Sequence, residues 1–146
     1  MLARREHSAF EIRRKLKLRD IDDAEIEQAV ERLQQEGLLS DQRYAESYIH
    51  MRMGKGYGPL RIALELRERG VAESDYGRYL YDRDIDWRSV LKAACDKKFD
   101  NRSCDDYREK AKRIRYLQYR GFALDEIHEL LARILYEGGR KMIDSE

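Results

Sequence analysis

A short pattern of leucine, arginine and an apolar residue occurs three times in the chain. The copies are Leu16-x-x-Arg19-Asp20-Ile21, Leu66-x-x-Arg69-Gly70-Val71 and Leu117-x-x-Arg120-Gly121-Phe122, spaced 50 and 51 residues apart. Self-similarity at such a period indicates tandem units that share a core with their neighbours. We interpret each copy as the end of one helix, a tight turn plugged by the apolar residue, and the approach to the next helix. Glycine suits a left-handed turn, and aspartate tolerates one.

The residues around these turns predict helices and no strands. Strong helix formers dominate, β-branched residues are few, and Pro59 is the one proline. Start and stop signals predict eight helices, at about 8–19, 22–37, 40–54, 59–70, 73–83, 86–98, 105–120 and 124–137. Ser8 with Glu11 forms a capping box. The other candidate caps are Asp22, Ser40, Asp86 and Asp125.

The predicted fold class is therefore all-α, a tandem array of three-helix repeats. The predicted repeats are residues 1–38, 39–84 and 85–137. The first is truncated, because only the last turn of its leading helix lies within the chain. A three-helix unit of this size buries little surface alone, so stacking into an elongated or curved array is expected. Residues 138–146 lack apolar periodicity and are expected to form a disordered tail.

The composition excludes several classes of protein. No apolar run approaches the roughly 18 residues needed to span a bilayer. The short basic start, residues 1–7, is not followed by an apolar stretch, so no secretory signal is expected. Two cysteines, Cys95 and Cys104, are too few for a disulfide-rich secreted scaffold. Apolar neighbours favour the core for Cys95, and polar neighbours favour a loop for Cys104. We expect a cytoplasmic protein with thiols outside disulfides.

No group of residues points to catalysis, a metal or a cofactor. The three histidines are far apart in the sequence, and neither cysteine has a CxxC partner. The glycine-rich segment 54–59 lacks the spacing of a phosphate-binding loop and follows a helix. We interpret it as a flexible connector that leads into the next helix. The chain is therefore predicted to be a binding protein that is not an enzyme and uses no cofactor.

Charge is sorted along the chain, although the net charge is only +1. Segments 1–19 and 87–120 carry +5 and +6, whereas segment 20–41 carries −7. Two interpretations stay open: neighbouring helices pair their charges, or equivalent helices form a basic stripe that faces a polyanion or a filament. The stripe would use Arg13, Arg14, Lys15, Lys17, Arg61, Arg67, Lys110, Lys112, Arg113 and Arg115, joined by Arg52 and Lys55 beside the glycine-rich segment.

Four aromatic residues have two interpretations each. Trp87, at a predicted helix start, is interpreted as a buried anchor between repeats, with a partner contact as the alternative. Tyr57, Tyr116 and Tyr119 lie beside basic residues and could stack on bases. Core packing is the preferred interpretation of Tyr119.

Several short segments carry a family resemblance through their order and spacing. They are Leu2-Ala-Arg-Arg-Glu-His-Ser8, Glu11-x-Arg-Arg-Lys-Leu16, Gly37-Leu-Leu-Ser-Asp-x-Arg-Tyr-Ala45, Lys55-Gly-Tyr-Gly-Pro59 followed by Arg61-Ile and Glu65-Leu, Ile85-Asp-Trp87 and Tyr119-Arg-Gly-Phe122. Together they resemble the RecX family of bacterial RecA regulators, over residues 2 to about 135. The resemblance implies a three-helix repeat protein that binds the RecA–single-stranded DNA filament. It also implies inhibition of RecA ATPase, filament extension and strand exchange, with effects on homologous recombination, DNA repair and the SOS response.

The expected partner is therefore the RecA nucleoprotein filament, with direct contact to single- or double-stranded DNA left open. Filament capping and groove binding also stay open. No membrane partner is expected. The protein is predicted to be a monomer, although an apolar edge near Phe10 and Ile12 would permit self-association. The alternative function is a helical-repeat nucleic-acid-binding module that acts by occupying DNA without contacting RecA. A scaffold for an unrelated partner is the third hypothesis.

Overall fold

The computed structural model describes residues 5–99 and 106–144, with side chains through residue 134 outside the gap. All regular structure in these ranges is helical, as predicted. The helices are α1 Ala9–Lys17, α2 Asp23–Gln35, α3 Asp41–Gly54, α4 Pro59–Glu68, α5 Glu73–Leu80, α6 Trp87–Phe99, α7 Tyr107–Tyr119 and α8 Leu124–Asp144. No helix in this part of the chain is long and apolar enough to cross a membrane.

Local signals determine where most helices begin. The Ser8 hydroxyl accepts from the backbone N–H of Glu11 at 3.1 Å, and the Glu11 carboxylate accepts from the backbone N–H of Ser8 at 3.2 Å. Both bonds of the predicted capping box are thus present. Ser40 and Asp86 also accept from the backbone N–H three residues later, so these predicted caps are confirmed.

Two predicted caps and one predicted helix end are wrong, although α2 and α8 begin where predicted. Asp22 occupies the position before α2 but its side chain makes no capping hydrogen bond, and Asp125 lies inside the first turn of α8. Carboxylates there stabilise a helix through its dipole without capping it. α8 also continues to Asp144, through most of the expected tail. Two glycines at 138–139 do not stop it, because each residue added to a formed helix gains a hydrogen bond.

The three repeat turns share one geometry. Gly70, Gly121 and Asp20 have φ values of +74°, +101° and +58°, which confirms the predicted left-handed conformation. In each turn, the N–H of the apolar plug donates to the carbonyl of the leucine five residues earlier, at 3.0–3.4 Å. This hydrogen bond caps the C-terminus of the preceding helix and directs the following residue toward the core.

The described chain divides into two compact units. Unit 1 comprises Met1–Met51 and Ala63–Ile85, and unit 2 comprises Arg52–Ile62 and Asp86–Glu146. α3 and α4 therefore contribute residues to both units, and the glycine-rich segment belongs to the same unit as the third repeat pattern. The predicted repeat boundaries at residues 38 and 84 remain predictions.

Each unit has an apolar core built from residues at helical spacing. The cluster in unit 1 consists of Ala9, Ile12, Ile26, Val30 and Leu39. The cluster in unit 2 consists of Leu91, Ala94, Cys95, Phe99, Leu117, Phe122, Ile127 and Leu131.

Two sequence predictions about packing can be compared with these clusters. Cys95 is in the core, as predicted, while Cys104 lies outside the described residues. Ile12 is buried in the unit 1 core and does not form an apolar edge, because α2 packs against α1 there. Phe10 remains partly exposed. Trp87 is half-buried and packs against the unit 2 core.

Candidate functional site

The basic residues of α1 are partly neutralised within unit 1. Arg13 Nε lies 2.8 Å from Glu27 Oε1, and Lys17 Nζ lies 2.8 Å from Asp23 Oδ1. Both ion pairs are exposed, so screening by solvent leaves them little effect on stability. For these two residues, the interpretation that neighbouring helices pair their charges is correct.

The other predicted cations of unit 1 differ in exposure. Arg14 and Arg67 are exposed, whereas Lys15 is half-buried with Nζ 3.3 Å from His7 Nε2. His7 itself is buried, and its Nδ1 lies 3.0 Å from the carbonyl oxygen of Arg5. A carbonyl only accepts and an ammonium only donates, so Nδ1 carries the proton and Nε2 accepts from Lys15. The fold therefore holds His7 as a neutral ring.

Acidification should destabilise unit 1 through His7. Burial lowers the pKa of His7 below its ordinary 6.5, and the charges of Arg5 and Lys15 lower it further, against the opposing effect of Glu11. Below pH 6.5 His7 becomes protonated in the unfolded chain but stays neutral in the folded chain. The free energy of unfolding therefore decreases as the pH falls from about 6.5 to the lowered pKa of folded His7. The measurement is the urea midpoint between pH 7.5 and 5, for the parent chain and His7→Gln. A variant with the same pH dependence would contradict the prediction.

The basic cluster of α7 divides between surface and core. Lys112 and Arg115 are exposed and Lys110 is half-buried. Arg113 is only 2% exposed, with its guanidinium 5.2 Å from the Phe99 ring centroid. Its prediction as a partner-facing residue is therefore wrong.

The helical period explains this position of Arg113. Arg113 lies one turn before the buried Leu117, on the side of α7 that faces the core, and its Nε is 3.6 Å from Glu109 Oε1. The spacing from Leu117 indicates burial, but Arg113 lies within a run of basic residues. Charge patterning alone does not separate the two faces of a helix.

Unit 2 contains an alternating series of aromatic and cationic side chains, which we call the ladder. Its members, in order, are Tyr119, Arg61, Tyr57, Arg120 and Tyr116. The Arg61 guanidinium lies 4.7 Å from the ring centroid of Tyr119 and 5.9 Å from that of Tyr57. The Arg120 guanidinium lies 4.0 Å from the ring centroid of Tyr57 and 5.5 Å from that of Tyr116. All four distances are within the range of attractive cation–π contacts.

Two further cations extend the ladder. The Arg52 guanidinium lies 3.6 Å from the Tyr57 ring centroid, and Lys98 Nζ lies 5.4 Å from that of Tyr116. Of the predicted basic residues, Arg52 and Arg61 thus come together around one tyrosine.

Backbone hydrogen bonds hold the glycine-rich segment against the α7–α8 turn. The N–H of Gly58 donates to the Arg120 carbonyl at 2.7 Å, and the N–H of Leu60 donates to the Gly121 carbonyl at 3.0 Å. Arg120 Nη2 donates in return to the Lys55 carbonyl at 3.0 Å. The segment leads into α4 at Pro59, as predicted, but these hydrogen bonds contradict the interpretation that it is flexible.

The glycines are needed for close approach of the two backbones. A Cβ on Gly58 would lie 2.5 Å from the Gly121 carbonyl oxygen, and a Cβ on Gly121 would lie 2.2 Å from the Cβ of Arg61. Any side chain at either position would push the segment away from the turn.

A groove of about 310 Å³ lies beside the ladder in unit 2. Small residues line much of it, together with the cations Lys55, Lys97 and Arg120 and the ring of Tyr116. No carboxylate is among the described residues that line it. This environment favours an anionic ligand.

Exposure separates the members of the ladder. Tyr57, Tyr116 and Arg120 are half-buried, whereas Tyr119 is 65% exposed. The preference for placing Tyr119 in the core was wrong, because it lies on the opposite side of α7 from Leu117.

Arg120 is the residue of this site that sequence reasoning missed. The sequence places Arg120 only within the repeat pattern. The recurrence itself was the available signal, since the equivalent Arg69 of unit 1 also stacks on a tyrosine, 4.8 Å from the ring centroid of Tyr48.

The fold and the ladder together define a class of protein: an all-helical tandem-repeat protein with cations and aromatic rings at its surface. Family models described as the first, second and third three-helix domains of RecX match residues 1–33, 40–76 and 86–131. The chain belongs to the RecX family of regulatory proteins. The resemblance noted in the sequence is thus confirmed, as is the array of three-helix repeats.

Individual relatives agree with the family models. Two proteins named regulatory protein RecX, from Pseudomonas putida (strain GB-1) and Ectopseudomonas mendocina (strain ymp), are 45% and 46% identical to this chain. Each alignment covers 90% of this chain, and 85% and 87% of the respective relative. The crystal structure of RecX from Lactobacillus salivarius is similar with a TM-score of 0.75 at 26% identity, covering 91% of this chain and 88% of that one.

Proposed function

We propose that the protein binds the RecA–single-stranded DNA filament and inhibits RecA ATPase, filament extension and strand exchange. Membership in a family of regulatory proteins carries the proposal, because the three family domains match in order along most of the chain. The sequence resemblance implies RecA as the target. On this proposal the protein is a cytoplasmic, monomeric regulator of homologous recombination, DNA repair and the SOS response, and not an enzyme.

The distribution of charge supports a partner that presents both signs. The exposed cations Arg14, Arg67, Lys112 and Arg115 are spread over the two units, while the net charge stays at +1. Each contact would be modest, since exposed ion pairs contribute about 1 kcal/mol or less. Several contacts to a repeating filament would add up through their high effective concentration.

The ladder favours a second candidate function, which is direct occupation of DNA without contact to RecA. Cations interleaved with aromatic rings are typical of surfaces that bind single strands. Under this alternative, loss of RecA activity would follow from competition for the strand.

The experiment that separates the two candidates is a titration of DNA-dependent ATP hydrolysis by RecA with this protein. Binding to the same DNA without RecA is measured in parallel. We expect hydrolysis to fall at concentrations that leave bare DNA unbound. A fall only where bare DNA is saturated would support the alternative instead, and no fall at saturating protein would contradict both.

Reversing the exposed charges of α7 should weaken inhibition of RecA. In the double variant Lys112→Glu/Arg115→Glu, two exposed contacts become repulsive, so half-inhibition should require about tenfold more protein. The control is Arg32→Glu/Arg83→Glu, which changes the net charge equally at exposed positions outside the predicted surface. Equal effects of the two double variants would show that net charge, and not this surface, determines inhibition.

A further inference from the structure

The tyrosines of the ladder differ in what their ring faces can contact. Tyr57 has guanidinium groups at 3.6 and 4.0 Å from its centroid, from Arg52 and Arg120. With two guanidinium groups this close to a half-buried ring, little of the Tyr57 ring is left open to a ligand. Tyr119 has Arg61 at 4.7 Å on one side and keeps 65% of its surface exposed. The inner part of the ladder therefore holds the structure together, and the outer part is accessible to a ligand.

The fold does not require an aromatic residue at position 119. The equivalent residues in the other two copies of the repeat pattern are Leu18 and Glu68, and both are exposed. Three different side chains thus occupy one exposed position at the end of the same kind of helix. The turn does not need a ring at this position, and an exposed ring beside an arginine is the kind of pair on which an unpaired base can stack.

The groove supplies positive charge, which could bind the phosphates of a ligand whose base contacts the ring. Lys55, Lys97 and Arg120 line it, with no carboxylate among its described lining residues, and Lys98 lies close by against Tyr116. A single strand presents unpaired bases and phosphates in alternation, and it matches both an open ring and a set of cations. A duplex hides its base faces within the stack, and an acidic peptide has no need of the ring.

We propose that Tyr119 and Arg61 stack one unpaired base of a single-stranded nucleic acid, while the cations of the groove at the Tyr116 end of the ladder pair with phosphates further along the same strand. The inference rests on the proposed function for its setting, since it assigns to unit 2 the contact with the DNA strand of the filament. The assignment of ligand class depends only on the ladder and the groove.

The test is fluorescence anisotropy with a labelled thymidine oligomer of about 15 nucleotides at about 50 mM salt. Removing one stacked base contact is expected to weaken binding about tenfold or more, so Tyr119→Ala should bind that much more weakly than the parent chain. Tyr119→Phe keeps the ring and should bind within twofold of the parent. The matched control is Tyr107→Ala, an 85% exposed tyrosine on the same helix that is outside the ladder.

An abasic oligomer of equal length isolates the stacking contribution. The parent chain should bind it about tenfold more weakly than the thymidine oligomer, and Tyr119→Ala should cause no further loss. Equal affinity of the parent and Tyr119→Ala for the thymidine oligomer would overturn the inference, as would an equal loss in Tyr107→Ala. No measurable binding of the oligomer by the parent chain would overturn it too.

Inhibition of RecA ATPase by the same proteins distinguishes this inference from the proposed function. If the parent chain inhibits RecA but does not bind the oligomer, the base-stacking site is wrong and the proposed function stands. If it binds the oligomer through Tyr119 but never inhibits RecA, the site stands and the proposed function is wrong. Thermal unfolding of each variant shows that a loss of binding is not a loss of folding, because positions 107 and 119 are both exposed.

Discussion

Replacing Gly121 with alanine should lower the free energy of unfolding by about 4 kcal/mol, from strain at a disfavoured backbone conformation and overpacking together. The φ of +101° is one that alanine rarely adopts, and the added Cβ would lie 2.2 Å from the Cβ of Arg61 and 2.5 Å from its backbone nitrogen. To relieve this clash, the start of α4 would have to move away from the α7–α8 turn. That movement would stretch the hydrogen bond from the N–H of Leu60 to the Gly121 carbonyl.

Gly37→Ala is the matched control for this prediction. Gly37 also has a positive φ, +73°, but nothing lies within 4 Å of a Cβ built there. The substitution should therefore cost only about 1 kcal/mol, from the left-handed conformation alone. Urea unfolding of both variants measures the difference. Similar losses would show that conformation, and not the close approach of α4 to the α7–α8 turn, makes glycine necessary at 121.

Reversing the charge of Arg113 should lower the free energy of unfolding by about 4 kcal/mol, the usual cost of breaking a buried charge interaction. Arg113→Glu would place a carboxylate where the guanidinium now lies 3.6 Å from Glu109, in a position only 2% exposed. The two carboxylates would be one helical turn apart, and a like-charge pair at that spacing is itself destabilising. Contact of the guanidinium with the Phe99 ring would also be lost.

The adjacent Lys112 provides the control, because its side chain is exposed on the same helix. Lys112→Glu should change stability by no more than about 0.5 kcal/mol. Thermal or urea unfolding of the two single variants tests the contrast. If Arg113→Glu were as stable as Lys112→Glu, Arg113 could not be packed in the core. Binding experiments on α7 should accordingly change Lys112 and Arg115 and leave Arg113 intact.

The candidate site could be predicted from the sequence only in part. Basic and aromatic residues near the glycine-rich segment were identified, including Arg52, Arg61 and Tyr57. Their assembly into the ladder could not be predicted, because it depends on Arg120, which is about 60 residues further along the chain. The pairing of Arg13 with Glu27 likewise depends on how two helices face each other. A single sequence contains the charges but not the distances between them.

The amino-acid sequence by itself determined the helices and the turns between them. A capping serine, a left-handed glycine and an apolar plug act through bonds that span three to five residues, so the pattern that encodes them is local. The tertiary structure alone decided which cations pair across helices, how the glycine-rich segment binds to the α7–α8 turn, and which side chains assemble into the ladder. The binding of the segment arises where Gly58 and Arg61 approach Gly121 within van der Waals distance. Such contacts depend on the packing of the whole unit and on no property of any one segment.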